Sequence, residues 1–300
     1  MERKKMTVLG FQAKKERGEP ITMLTAYDYP TALALEAAGI DTILVGDSLG
    51  MVVLGYETTL PVTMDDMIRH AQAVRRGART PLLIGDMPFL AYQADVAEAV
   101  RNAGRFLKEG GMDAVKLEGG REVIPTVRAI NDAGIPVMGH IGLTPQSIHK
   151  LGGFRTQGKT AAAARRLLED ALALEEAGCF SIVLEAVPEQ VARLVSQRLH
   201  VPTIGIGAGA GCDGQVLVTH DLLGLFDRFT PRFAGRYAEL QAEMQRAFRA
   251  YIGDVQAGTF PGPEHSTRMD EAEWAELLAG LEASSPDGHK PEVQGLVGRG

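Results

Sequence analysis

Lys116 and Glu118 stand two apart in the run AVKLEGG, residues 114–120, and side chains two apart on a strand share a face. An ammonium and a carboxylate held side by side at the end of an apolar run either close an ion pair or belong to a site. Other short apolar runs end in the same polar way. Asp47-Ser48 closes TILVGDS (42–48), Asp86 lies in PLLIGDM (81–87), His140 in PVMGHIG (136–142) and Glu185 in SIVLEAV (181–187). Asp47, Asp86 and Glu118 on neighbouring strands repel one another unless protons or a cation intervene. An oxygen-rich set without a histidine cluster suits a hard cation such as Mg²⁺ or Mn²⁺. The plain alternative is that each acid caps the next helix or pairs with a nearby base. Lys116 has three readings: an ion pair with Glu118, a Schiff-base nucleophile, or a cation for an anionic substrate oxygen. Neighbouring carboxylates keep it charged, which favours the last. His140 stays open as a base, an anion donor or a structural histidine.

These residues need elements that bring strand ends together. ITMLTAY (21–27) and PTIGIGAG (202–209) complete a set of seven short apolar runs, separated by segments such as ADVAEAVRNAGRFLKEGG with helical composition. Gly110 and Gly178 stand where helix C-caps belong. Strand–helix alternation implies a parallel sheet with right-handed crossovers. Seven units, with one more to place, point to a closed (β/α)₈ TIM barrel, with a doubly wound open sheet as the alternative. In a barrel the strand ends converge on one catalytic mouth.

QVLVTHD (215–221) has strand character but lies close behind PTIGIGAG, and a parallel crossover ordinarily needs a dozen or more residues. The spacing therefore predicts a short seventh helix over 213–224 and strand eight near PRFAGRY (231–237). A helix over 237–257 then closes the barrel, and an extra N-terminal helix over 7–17 precedes strand one. The expected domain is a single barrel over 1–266. Residues 267–300, with one helix in DEAEWAELLAGLEA carrying a Trp274, Leu277, Leu278, Leu281 stripe, form an appendage that is mobile at its end.

Composition narrows the functional classes. The 300 residues carry a net charge of −7 with scattered basic residues, which argues against nucleic-acid binding. Cys179 and Cys212 form no metal or disulfide pattern. The N-terminal segment lacks the apolar core of a signal peptide, and no run of 18 apolar residues could span a membrane, so a cytoplasmic protein is expected. GAGCDG (209–214) matches G-x-G-x-x-G, but it falls at the seventh strand and the helix expected after it is short. Its glycines are better read as letting a loop pass close to a ligand.

LTAYDYP, VGDSLGM, TLPVTMDDM, AVRRGA, DMPF, VKLEGG, GHIGLTPQS, VLEAVP, GIGAG and EHS occur in order between about residues 7 and 266. Together they resemble the ketopantoate hydroxymethyltransferase family. The resemblance implies a Mg²⁺-dependent barrel of the phosphoenolpyruvate/pyruvate superfamily type. It implies transfer of a hydroxymethyl group from 5,10-methylenetetrahydrofolate to 3-methyl-2-oxobutanoate through a Mg-stabilised enolate, giving 2-dehydropantoate for pantothenate and coenzyme A. It also implies Asp47, Asp86 and Glu118 as metal positions, Asp47, Ser48, Asp86 and Lys116 as oxoacid-binding positions, and Glu185 as proton acceptor. The implied assembly is a homodecamer, a pentamer of dimers. Residues 267–300 depart from the family pattern. Two other readings share the barrel logic: a carbon–carbon lyase or phosphonomutase, and a metabolite-binding barrel without turnover.

Overall fold

In the computed structural model, which describes residues 3–283 apart from 227 and 230, eight parallel strands close into a barrel in chain order. They are β1 (Ile21–Thr25), β2 (Thr42–Val45), β3 (Leu82–Asp86), β4 (Ala114–Glu118), β5 (Val137–Gly142), β6 (Ser181–Glu185), β7 (Thr203–Ile206) and β8 (Gly214–Leu217). The closing pair sets Ile21 opposite Gly214.

Alternation along the strands makes two cores. Outward residues such as Ile43, Leu83, Val115, Leu117, Ile182 and Leu184 pack with Met67, Phe106, Val127 and Leu174 of the surrounding helices. Inward residues Met23, Leu44, Ile84, Ala114, Met138, Val183, Ile204 and Val216 fill the lumen. One step further along the inward face come Asp86, Lys116, His140 and Glu185, all toward the C-terminal mouth. The period of two thus carries β4 from Ala114 in the apolar lumen to Lys116 and Glu118 in the polar layer.

The helices begin where short polar side chains can cap them. Asp28 caps Tyr29–Ala38, Thr63 and Asp66 form a capping box on Met64–Gly77, Asp95 caps Val96–Lys108, and Thr160 caps Ala161–Glu176. Gly178 takes the expected positive φ, whereas after Lys108 it is Gly111 rather than Gly110 that does so.

Helix α1 (Val8–Glu16), capped by Thr7, closes the opposite end of the barrel. Phe11 is fully buried in the luminal cluster, edge-on to Phe180 at 5.9 Å. Lys14 Nζ bonds Asp41 Oδ2 at 2.7 Å, and Lys15 Nζ bonds Ser196 O, Val201 O and Asp213 Oδ2 at 2.9–3.0 Å. The extra helix is therefore a plug stitched to the strand starts.

Strand eight is β8, and PRFAGRY is not a strand. The chain returns from β7 to β8 over residues 207–213 without a helix, and the next helix is the single turn Thr219–Leu222. A crossover can be this short because a four-residue strand is only about 10 Å long, a distance a few extended residues span. Asp213 fixes the return: its Oδ2 accepts from Thr203 N and Oγ1 at 2.8 and 3.0 Å. A side chain at Gly214 would meet Ile21 O at 2.6 Å, so glycine lets the closing strands approach. Since β8 follows the GAGCDG loop directly, that loop opens no helix and lacks the dinucleotide-binding arrangement.

The chain divides into two compact units, Met1–Gln241 and Ala242–Gly300. Barrel closure comes from β8 against β1 rather than from the helix after Tyr237, which runs Leu240–Ala257 and buries no side chain. Within the second unit Met244, Phe248, Tyr251, Ile252 and Val255 are exposed. The helix Glu271–Ala283 follows, with Trp274, Leu277 and Leu281 exposed. The expected mobile end over 284–300 lies outside the described residues. Among the described residues no helix is long and apolar enough to cross a membrane.

Candidate active site

Parallel register sets the charged residues opposite one another. Asp86 of β3 pairs with Lys116 of β4, Glu118 with His140 of β5, and Gly142 with Glu185 of β6. Asp47 and Ser48 follow β2. All seven of these side-chain-bearing site candidates (Asp47, Ser48, Asp86, Lys116, Glu118, His140 and Glu185) line one cavity of about 320 Å³ at the barrel mouth.

Lys116 Nζ lies 2.7 Å from Asp86 Oδ1 and 3.3 Å from His140 Nδ1. Its ion-pair partner is thus Asp86, not Glu118. The Asp86 contact is poorly aligned, leaving Oδ1 buried without a hydrogen bond, while Asp86 Oδ2 accepts from Asp47 N at 3.2 Å. His140 reaches Glu118 Oε1 at 3.5 Å through Nδ1 and Glu185 Oε2 at 3.2 Å through Nε2, the latter also without good alignment.

Electrostatics follow from this packing. Burial opposes the charge on Lys116, but Asp86, Glu118 and Asp47 outweigh it and raise its pKa. Such a lysine is no free amine, which counts against a Schiff base. Burial and Lys116 both oppose a proton on His140, yet Glu118 and Glu185 raise its pKa to about 9. The Nδ1 contact with Lys116 would suit a neutral ring, but with carboxylates on both sides the protonated form prevails. Burial, then the Asp86 and Glu118 charges, push Asp47 well up. Burial also raises Asp86, with Lys116 opposing. Burial works to raise Glu118, but His140, Lys116 and Gln146 N hold it below the usual range.

Three further residues position this set. Gln146 N donates to Glu118 Oε2 at 3.0 Å, and its Nε2 donates to Asp47 Oδ2 at 3.0 Å and Met87 O at 2.9 Å. Gln146 Oε1 accepts from Gln93 Nε2 at 3.0 Å and lies 2.9 Å from Tyr92 OH, which itself accepts from Glu118 N at 3.0 Å. Tyr27 OH pairs with Ser48 Oγ at 2.9 Å. Sequence reasoning assigned no role to Gln146, Tyr92 or Tyr27, although LTAYDYP and GHIGLTPQS contain two of them. Glu185 is held by its backbone: its carbonyl accepts from Leu143 N at 2.8 Å, and a Cβ on Gly142 would sit 2.2 Å from that oxygen. Ala186, next in the chain, has φ +47°, a conformation that non-glycine residues adopt only where the surroundings enforce it.

Four carboxyl groups here crowd around two basic side chains, Lys116 and His140. The crowded acids, the all-oxygen donors and the orphaned Asp86 Oδ1 fit a hard divalent cation. Among the described residues no three His, Cys, Asp or Glu converge as a ready-made cage, and Glu118 is already engaged by His140 and Gln146. The fit is to a cation that takes one or two carboxylates and completes its shell with substrate oxygens and water, the habit of Mg²⁺.

The fold defines a class, the closed eight-stranded β/α barrel with its strand ends gathered at one mouth. Phosphonopyruvate hydrolase, solved with oxalate and Mg²⁺, superposes with a TM-score of 0.58 at 13% identity, covering 94% of this chain and 100% of that one. A 2,3-dimethylmalate lyase described as a member of the PEP mutase/isocitrate lyase superfamily gives 0.55 at 16% identity, with 92% and 95% covered. At such identities the likeness is one of fold. The family model for ketopantoate hydroxymethyltransferase matches residues 5–263. The 3-methyl-2-oxobutanoate hydroxymethyltransferase of Moorella thermoacetica is 60% identical over 265 residues, 88% of this chain and 98% of that protein. Its counterpart in Chloroflexus aggregans is 57% identical over 278 residues, 93% and 99%. The chain belongs to the ketopantoate hydroxymethyltransferase family, a family of enzymes.

Proposed function

We propose that this chain transfers a hydroxymethyl group from 5,10-methylenetetrahydrofolate to 3-methyl-2-oxobutanoate, giving 2-dehydropantoate for pantothenate synthesis. The observation that carries the reading is the buried, oppositely charged floor of the cavity, with Lys116 held charged between acids. Family membership supports the choice of 3-methyl-2-oxobutanoate as acceptor. Asp47, Asp86 and Glu118 would hold Mg²⁺, which when bound would supply Lewis-acid chemistry. Asp47, Ser48, Asp86 and Lys116 bind the oxoacid. Ser48, backed by Tyr27, donates to its carboxylate. The Lys116 ammonium faces the oxygen on which negative charge develops as the C3 proton leaves. Glu185, beside His140, carries the proton. The resulting carbon nucleophile takes up the methylene carbon of the folate as both its C–N bonds break. Water supplies the hydroxyl of the product, and the C3 proton and a water proton go to the two folate nitrogens, so that tetrahydrofolate leaves.

The catalytic domain is residues 1–266, and 267–300 is an appendage. The enzyme works in the cytoplasm as a homodecamer, a pentamer of dimers. The apolar stripe left exposed on Leu240–Ala257 supports assembly. Purified protein given both substrates and Mg²⁺ should form 2-dehydropantoate, detected by mass spectrometry, only when the folate is present. Product formed without folate, or none with it, would refute the reading.

A further inference from the structure

The charged floor occupies one end of the cavity, and the rest of the cavity has a different character. Phe154, Phe229 and Phe233 line its rim and are exposed, and Arg155 and Arg232 lie among them. On the wall at the end of β8 is Asp221, which lines the cavity while only 7% exposed. No described residue donates a hydrogen bond to its carboxylate. The charge that acts on it belongs to Arg236, which is paired with Glu239. A buried carboxylate that faces a cavity with no donor among the described residues suits donors that arrive with a ligand.

We propose that Asp221 and this aromatic rim form the subsite for the reduced pterin of the one-carbon carrier, an assignment that rests on the transfer reaction proposed above. A reduced pterin presents a ring N–H and an exocyclic amino group side by side, two donors that one carboxylate accepts together. Its flat body fits against phenylalanine rings. The carboxylates of its glutamate tail meet Arg155 and Arg232 at the rim. Asp221 and Glu185 line the same cavity, so a carrier anchored at Asp221 presents its methylene toward the floor. Burial pushes the Asp221 carboxyl up to about 6, with Arg236 opposing, and ligand donors would favour its ionised form.

The test uses tetrahydrofolate as the probe, titrated calorimetrically into the full chain, alongside C3–H exchange of 3-methyl-2-oxobutanoate in D₂O with Mg²⁺ and without folate. Asp221→Asn should weaken tetrahydrofolate binding at least tenfold while exchange proceeds. Phe229→Ala should weaken it several-fold. Phe229 is 59% exposed, so that variant decides the matter even if Asp221→Asn does not fold. Wild-type affinity in either folded variant overturns the subsite, and so does an equal loss of exchange in Asp221→Asn. A wild-type protein that exchanges the oxoacid but does not bind tetrahydrofolate overturns the subsite and leaves the oxoacid chemistry standing. A wild-type protein that does not exchange overturns the transfer reading and this subsite with it.

Discussion

Glu185 differs from the other acids of the site in where it stands. Asp47, Asp86 and Glu118 are tied to one another through Gln146, Lys116 and His140, whereas among the described residues the Glu185 carboxylate meets the Nε2 edge of His140 alone and faces the cavity. That freedom suits a proton carrier. Glu185→Gln should lower turnover by about 10²–10⁴, the usual worth of a positioned acid–base group, with oxoacid binding retained. Steady-state kinetics with calorimetric binding of the oxoacid checks both halves. Lys116 is the contrasting case, since three acids hold its proton in place. Borohydride added with the oxoacid should leave no adduct on Lys116 by peptide mass spectrometry, and a trapped adduct would restore the Schiff-base mechanism. The gathering of these residues at one mouth was legible in the sequence because the strand ends of a parallel barrel converge. Gln146 was not, because a lone glutamine announces nothing until folding places its amide between Asp47, Met87 and Tyr92.

At the level of elements, the strands and helices that follow the period of two or carry an N-cap were readable, and β8 was not. Its misplacement came from a rule about crossover length that short strands and the Asp213 clasp circumvent. The polar strand starts were likewise unread, although they hold α1 in place. Asp41 Oδ2 accepts from Lys14 Nζ, Thr22 N and Thr22 Oγ1 at 2.7–2.9 Å. Burial works to raise its pKa, but these bonds outweigh burial and lower it. A lowered acid contributes stability above its unfolded pKa, about 3.9, and loses that contribution as the pH falls through the folded value. Asp41→Asn should therefore melt below wild type at pH 7, and the gap should narrow as the pH drops below about 4. Thermal melts across that range test this, and a gap that widens in acid would contradict it.

For the molecule as a whole, the barrel carries both the floor and the rim of the cavity, all within the unit Met1–Gln241. Cutting the chain after Ser266 should leave kcat/KM nearly unchanged, with at most a small fall in Tm. Loss of turnover, or collapse of the assembly by light scattering, would make the segment after Ser266 integral to the enzyme. The central claim is that the charged floor itself takes up the oxoacid and removes its C3 proton. Loss of the C3–H signal of 3-methyl-2-oxobutanoate, followed by NMR in D₂O without folate, measures that step directly. Exchange should proceed with Mg²⁺, stop in excess chelator, return when Mg²⁺ is restored, and slow in Lys116→Met by the equivalent of about 1.5–3 kcal/mol, the worth of one charge-assisted hydrogen bond. Exchange that continues in chelator with no residual metal, or that is unchanged in Lys116→Met, would contradict it.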